Sequence, residues 1–134
     1  MAKALNTEVA TFEYDGLIVD SNPIADVFAV TVATGMGALK RGTVLARSTK
    51  DGKMSVLGST AAESDTLTAN CILAEDVDAT SETAALAYRM GHFATNKLIV
   101  KEEYTMTAAD KEALRDVGIL LSDAMEYENI EEED

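Results

Sequence analysis

Short apolar segments, separated by glycine and acidic residues, follow one another from residue 24 to residue 121. A turn signal, Asp51 followed by Gly52, lies between the apolar residues 44–46 and 54–57 and predicts a β-hairpin. Short strands with such punctuation are typical of a small β-barrel or sandwich. The candidate strands are VFAVTVA (27–33), GTVLAR (42–47), CILAE (71–75), TAALAYRMG (83–91) and KLIV (97–100).

One helix is expected after these strands. Thr107 can cap its N-terminus, and Asp110 can complete a capping box. Gly118 can end the helix in a left-handed conformation. The segment ILL (119–121) follows as a last strand or a core insertion. Apolar residues at helical spacing form the expected buried stripe: Ala109, Ala113 and Leu114.

The two ends of the chain differ from this β-rich middle part. In residues 1–22 the segment TEVATFEY (7–14) alternates like a strand but stands alone. We interpret residues 1–22 as an extended arm that becomes ordered when something pairs with it, and the alternative is a frayed terminus. Residues 126–134 hold six acids and no base, and we expect an acidic disordered tail there. The folded domain is therefore placed at residues 23–125.

Composition limits both the core and the partners. The 134 residues suit one domain, and with 5% aromatic residues and no Trp its core must be aliphatic. The single Cys71 lies in an apolar run, which indicates a buried, unreactive thiol. The net charge of −13 gives no electrostatic footprint for nucleic acid. Because neither a signal peptide nor a membrane span is visible, we expect a soluble intracellular protein without nucleic-acid or membrane partners.

Three glycines, Gly35, Gly37 and Gly42, invite comparison with nucleotide-binding loops. The dinucleotide pattern requires glycine at the position of Lys40, and the phosphate-loop pattern requires lysine at the position of Thr43. Neither loop precedes a predicted helix. A β-turn is therefore the favoured interpretation.

The acids Glu75, Asp76 and Asp78 admit a metal site, an acid/base pair, or a strand that ends in a polar turn. A calcium loop needs a glycine that this stretch lacks, and no nucleophile lies nearby. His92 is the only histidine, too few for a zinc site, and its stretch MGHFATN (90–96) is turn-like. We therefore favour a polar turn for the acids and a solvated or loop-packing role for His92, and we assign no catalytic, cofactor-binding or metal residue.

Longer motifs carry a resemblance that single residues do not. YDGLIVDS (14–21), RGTVL (41–45), ILAEDVDA (72–79) and YRMGHFATNKL (88–98) occur in the order and spacing of one family. On these motifs the chain resembles the head decoration proteins of tailed phages, the family that includes the lambda decoration protein. The resemblance spans about residues 12–121. The helix after Tyr104 and the acidic tail are longer than in the shortest members, which leaves the trimer contacts near the C-terminus undefined.

The resemblance implies a structural, non-enzymatic protein. It implies homotrimers of a mainly β, barrel-like β-tulip domain with one short helix, bound outside an expanded capsid at its local threefold points. There they would clamp the major capsid protein against the pressure of packaged DNA, after a stay in the host cytoplasm during assembly. The arm would add a strand to the shell protein. Its capsid-binding residues would be Glu8, Val9, Ala10, Thr11, Phe12, Glu13 and Tyr14.

A function from a different class stays open, namely a ligand-binding or accessory domain of an enzyme on the same small β-barrel. Its pocket would hold Glu75, Asp76 and His92. A decoration protein should be a trimer that does not respond to ligand panels. A binding module should instead shift its melting temperature with a ligand or a divalent ion.

Overall fold

The computed structural model describes residues 16–20 and 23–122, which are mostly β-structure with one short α-helix. The mainly β class expected from the sequence is confirmed. None of the helices in these residues is long and apolar enough to cross a membrane. The elements are β1 (Ile18–Asp20), β2 (Asp26–Val32), β3 (Gly37–Leu39), β4 (Val44–Ser48), β5 (Met54–Val56), β6 (Leu67–Leu73), β7 (Val77–Ala79), β8 (Thr83–Ala94), a 3-10 helix (Thr95–Lys97), α1 (Ala108–Val117) and β9 (Ile119–Ser122).

Strands β2, β5, β4, β6 and β8 close into a five-stranded barrel. Strand β8 pairs antiparallel with β2 from Thr83 to Met90. The hairpin predicted around Gly52 joins β4 and β5 and is confirmed. Strand β6 pairs with β4 and, at Ile72 opposite Tyr88, also with β8, which closes the ring. Closure pairs each of these strands on both sides and removes the exposed edges of an open sheet.

Strand β8 continues beyond the barrel and pairs there with β1 and β9. Strand β1 runs antiparallel to it, with Ile18 opposite Phe93, and β9 runs parallel. His92 lies within this pairing, opposite Leu120, so the turn predicted around His92 is wrong. The glycine that suggested a turn, Gly91, has a φ of +149° inside the continuous strand.

Two other predicted segments have a different structure. KLIV (97–100) is not a strand, because Thr95–Lys97 forms the 3-10 helix and Ile99 makes an isolated bridge to Thr43. The polar stretch expected to be a turn after CILAE contains β7, which pairs antiparallel with β3. Ile99 and β7 each pair with a part of the chain that is distant in sequence, so the local pattern does not show the pairing.

Two apolar clusters lie on opposite sides of the barrel wall. Alternation along β6 places Cys71 and Leu73 in the cluster inside the barrel, and Ile72 in the cluster beneath α1 that contains Phe93. Cys71 is fully buried, as predicted, and burial raises the pKa of its thiol to about 12. Apart from Phe93, the largest fully buried side chains are Leu, Ile and Val, as the composition required, followed by Thr43 and Cys71.

Helix α1 begins and ends where the sequence predicted. Thr107 Oγ1 accepts a hydrogen bond from Asp110 N at 3.1 Å, and the Asp110 carboxylate accepts one from Thr107 N at 3.0 Å. Gly118 ends the helix with a φ of +110°. Of the expected stripe, Leu114 is buried, but Ala109 is exposed. Leu114 and the partly buried Ala113 pack on the apolar cluster beside β6.

The Asp65 carboxylate connects the loop between β5 and β6 to the β4–β5 hairpin. It accepts hydrogen bonds from Ser48 Oγ at 2.7 Å, Thr49 N at 3.1 Å and Lys50 N at 3.2 Å. The Thr66 N–H also donates to it, at 2.7 Å. These bonds, with that from Ser48 the most important, hold the pKa of Asp65 at about 2 instead of the usual 3.8.

Acid is expected to weaken the fold through Asp65. Because its pKa is lower in the folded protein, its contribution is fully present above roughly pH 4 and is lost as the pH falls toward 2. Asp65→Asn should therefore lower the free energy of unfolding near neutral pH and flatten its dependence on pH in the acid range. Urea unfolding at fixed protein concentration measures both. An equal pH dependence in wild type and variant would show that this carboxylate contributes nothing.

Candidate functional site

The residues predicted to bind the capsid, Glu8, Val9, Ala10, Thr11, Phe12, Glu13 and Tyr14, lie outside the described residues. The described chain begins at Gly16, and the next residue, Leu17, is 2% exposed. Leu17 O accepts a hydrogen bond from Ala94 N at 2.8 Å, and β1 follows directly. Residues 16–20, which the sequence assigned to the arm, therefore pack on the folded body.

Gly42 makes room for this anchor. A Cβ atom at Gly42 would lie 3.2 Å from Lys97 O and 3.7 Å from Leu17 Cδ1, and the φ of Gly42 is +100°. The glycine of the RGTVL motif therefore serves the close packing of β1 and the 3-10 helix on the barrel. Gly35 lies in the turn before β3, with a φ of +85°, so the turn favoured from the sequence is present there.

The acids after β6 accept hydrogen bonds in three different places, so they do not converge on one point. A backbone N–H group donates a hydrogen bond to each of these carboxylates, and the bond stabilises a strand end or a turn. The bonds to Asp78, first that from the Thr80 hydroxyl, lower the pKa of this carboxyl. The contacts are Glu75 Oε2 to Leu86 N (3.0 Å), Asp76 Oδ1 to Arg41 N (2.8 Å), and Asp78 Oδ1 to Thr80 N (3.1 Å) and Thr80 Oγ1 (2.6 Å).

Glu75, Asp76 and His92 do not form a common pocket. Glu75 binds β8 at Leu86, and the extended strand between Leu86 and His92 spans about 20 Å. The Nε2 atom of His92 instead lies 2.9 Å from Ser122 Oγ. Across residues 16–20 and 23–122, no group of three or more His, Cys, Asp and Glu residues could hold a metal ion. The pocket that a ligand-binding domain would need is not assembled from these three residues.

The double variant Asp76→Asn with Asp78→Asn is expected to shift the melting temperature by a few degrees at most, because asparagine keeps one accepting oxygen at each position. The shift should be the same with and without calcium. Differential scanning calorimetry of wild type and variant, each with calcium or with a chelator, makes the comparison. Stabilisation by calcium in the wild type alone would contradict the structural role of these acids.

Tyr88 joins two of the sequence motifs through a contact that the sequence did not indicate. Its hydroxyl accepts a hydrogen bond from the Arg41 guanidinium, whose Cζ lies 5.4 Å from the ring centroid. The ring also packs on Phe93, with 5.1 Å between centroids. Arg41 and Tyr88 are 47 positions apart, and closure of the barrel brings them together. Residues of two different motifs thus contact one another in the fold.

Comparison with known proteins gives this arrangement its context. The chain matches the sequence profile of the family described as bacteriophage lambda head decoration protein D over residues 7–120. No curated protein shows a significant match. The matched range contains the arm residues 8–14, the whole barrel and α1. The family consists of structural proteins of the phage head, which suggests a protein that is not an enzyme. The chain belongs to the bacteriophage lambda head decoration protein D family, and its role is capsid decoration in the virion.

Proposed function

We propose that this protein binds as homotrimers to the outer surface of the expanded phage head, at the local threefold sites. There it stabilises the shell of major capsid protein against the pressure of packaged DNA, after a stay in the host cytoplasm during assembly. The observation that carries the proposal is the family match, which includes both the arm and the folded body. A closed barrel with a filled interior suits a rigid clamp, since such a body resists deformation.

Attachment is proposed to occur through Glu8–Tyr14, by addition of a strand to the shell protein. Backbone hydrogen bonds would supply affinity in this mode, and alternate side chains would supply specificity. The position of β1 supports this, because β1 lies at the end of the strand order and the chain passes through Leu17 directly into the body. An arm held at its base loses less freedom on binding than a free peptide, and three arms on one trimer act together.

Electron cryomicroscopy of expanded heads mixed with the purified protein tests this arrangement. Threefold density is expected over each local threefold site, with a connection from each subunit to the shell. Density at other positions, such as the centres of the capsomers, would overturn the proposed placement.

The trimer is expected to survive removal of residues 126–134. Its net charge would be three times −13, so acids near the threefold axis would repel one another, and the tail is expected to lie away from that axis. Light scattering should give a trimer mass for both proteins, lower in the variant by the deleted residues alone. A monomer after deletion would show that the tail holds the subunits together.

A further inference from the structure

A groove of about 530 Å³ runs between α1 and β9, on the surface of the folded body. Its floor is apolar, with Leu120 39% exposed and Leu121 partly buried. Lys111 and Arg115 line one side, on the exposed face of α1, and His92 lines the other. Apolar surface of this kind, bordered by charged side chains, is typical of a binding site for a segment of protein chain.

The groove is positively charged on a strongly acidic protein. Lys111 and Arg115 outweigh the one acid that lines it, Glu112. Glu112 forms an exposed ion pair with Arg115 at 3.8 Å, which holds the guanidinium only loosely. With 11 basic against 24 acidic residues in the chain, two basic residues beside apolar floor atoms favour an acidic occupant.

The chain itself delivers an acidic segment to this place. Strand β9 ends at Ser122, whose Oγ lies 2.9 Å from Nε2 of the groove residue His92. Residues 123–134 (DAMEYENIEEED) follow, with seven acids and no base. In an extended chain Met125 and Tyr127 would face one side, and the acids between and after them the other.

We infer that the groove between α1 and β9 binds residues 123–128 of the same chain, with Met125 and Tyr127 on the apolar floor and the neighbouring acids beside Lys111 and Arg115. The lengths are comparable, because a ten-residue helix is about 15 Å long and six extended residues span about 20 Å. Residues 123–128 are therefore long enough to lie along the groove of their own subunit. This docking would hold residues 123–128 against the folded body, where they would be less solvated than a free chain end. Salt should weaken the docking, because Lys111 and Arg115 are exposed to solvent.

The test places a spin label in the tail of the full-length protein. A nitroxide on Asn129→Cys reports proximity, while the native Cys71 stays unlabelled because its thiol is buried. In low salt, at about 20 mM, the amide signals of Lys111 and Arg115 should lose most of their intensity, and those of the distant Gly52 should not. The signals should return at about 0.5 M salt. Full intensity at low salt would overturn the inference.

Two charge variants separate docking in the groove from general attraction. Lys111→Gln with Arg115→Gln removes the cations of the groove, and Lys50→Gln with Lys101→Gln removes two cations outside it. Both pairs change the net charge equally. The signal loss at residues 112–114 should disappear in the first variant and persist in the second, and equal behaviour would contradict a specific site.

A mixed sample identifies whose tail is bound. When the spin label and the isotope label are on different copies, the groove signals should keep their intensity. Loss of intensity in that sample would replace the inference with docking of a neighbouring copy's tail. None of these measurements involves a capsid, so their outcome is independent of the proposed capsid binding.

Discussion

Deleting residues 1–11 and replacing Phe12 with Ala is expected to reduce capsid occupancy steeply while the body stays folded. The core begins at Leu17, so the deletion removes no buried side chain of the described residues. In an extended arm Phe12 and Tyr14 point to the same side and would bind the shell together. Their burial could contribute several kcal/mol, offset by roughly 1–2 kcal/mol per ordered backbone residue. The small net gain of each arm makes the attachment depend on three arms acting together.

A matched control tests whether the loss comes from the proposed binding segment. Asn6→Ala in the full-length protein changes a residue before Glu8–Tyr14 and should keep most of the occupancy. Circular dichroism and light scattering should be the same for the truncated, control and wild-type proteins. If the truncated variant binds expanded heads as well as the wild type does, the arm hypothesis is wrong and the contacts lie on the folded body.

Gly91→Ala is expected to be strongly destabilising. A Cβ atom there would lie 2.7 Å from Phe93 Cζ and 3.3 Å from Ala25 Cα, and the φ of +149° strains any L-residue. The Phe93 ring is fully buried against Tyr88 and cannot move aside without disturbing the cluster beneath α1. Overpacking and backbone strain together should cost about 2–5 kcal/mol of the free energy of unfolding.

Gly35→Ala is the matched control, because Gly35 also has a positive φ, of +85°, but nothing lies within 4 Å of its added Cβ. This variant should lose only about 1 kcal/mol, from backbone strain alone. Urea denaturation at one protein concentration compares the two. Equal losses would mean that the close contact with Phe93 has no energetic weight.

Elements that depend on local signals could be predicted from the sequence. The hairpin at Asp51 and Gly52 needs only a turn between two apolar runs, and the capping box of Thr107 needs only residues within one helical turn. Burial of Cys71 followed from its apolar neighbours.

Features that depend on distant partners could not be predicted. Gly91 suggested a turn, because nothing nearby in sequence shows that β1 and β9 continue the pairing of β8 past it. The stretch with Asp76 and Asp78 has the local pattern of a turn, and its strand partner, β3, lies about 40 positions earlier in the chain. The buried stripe expected on the helix was too wide, since Ala109 is exposed. Helical spacing alone does not tell how much of a helix face is covered.

The candidate site shows the same division between local and distant information. The alternating arm and the acidic tail were visible in the sequence. The buried anchor at Leu17, its contact with Gly42 and the basic groove beside β9 each depend on the closed barrel. The lysine and arginine of that groove lie on an ordinary exposed helix face, and no sequence signal distinguished them.

The number of copies bound per head tests the central claim most directly. Purified protein is mixed with expanded, undecorated heads of the phage that encodes it, and with unexpanded heads as the control. A trimer at every local threefold point corresponds to one copy per shell subunit, so binding to expanded heads should saturate at that ratio. Unexpanded heads should bind far fewer copies. Absence of binding to expanded heads, or saturation far from one copy per shell subunit, would contradict the account.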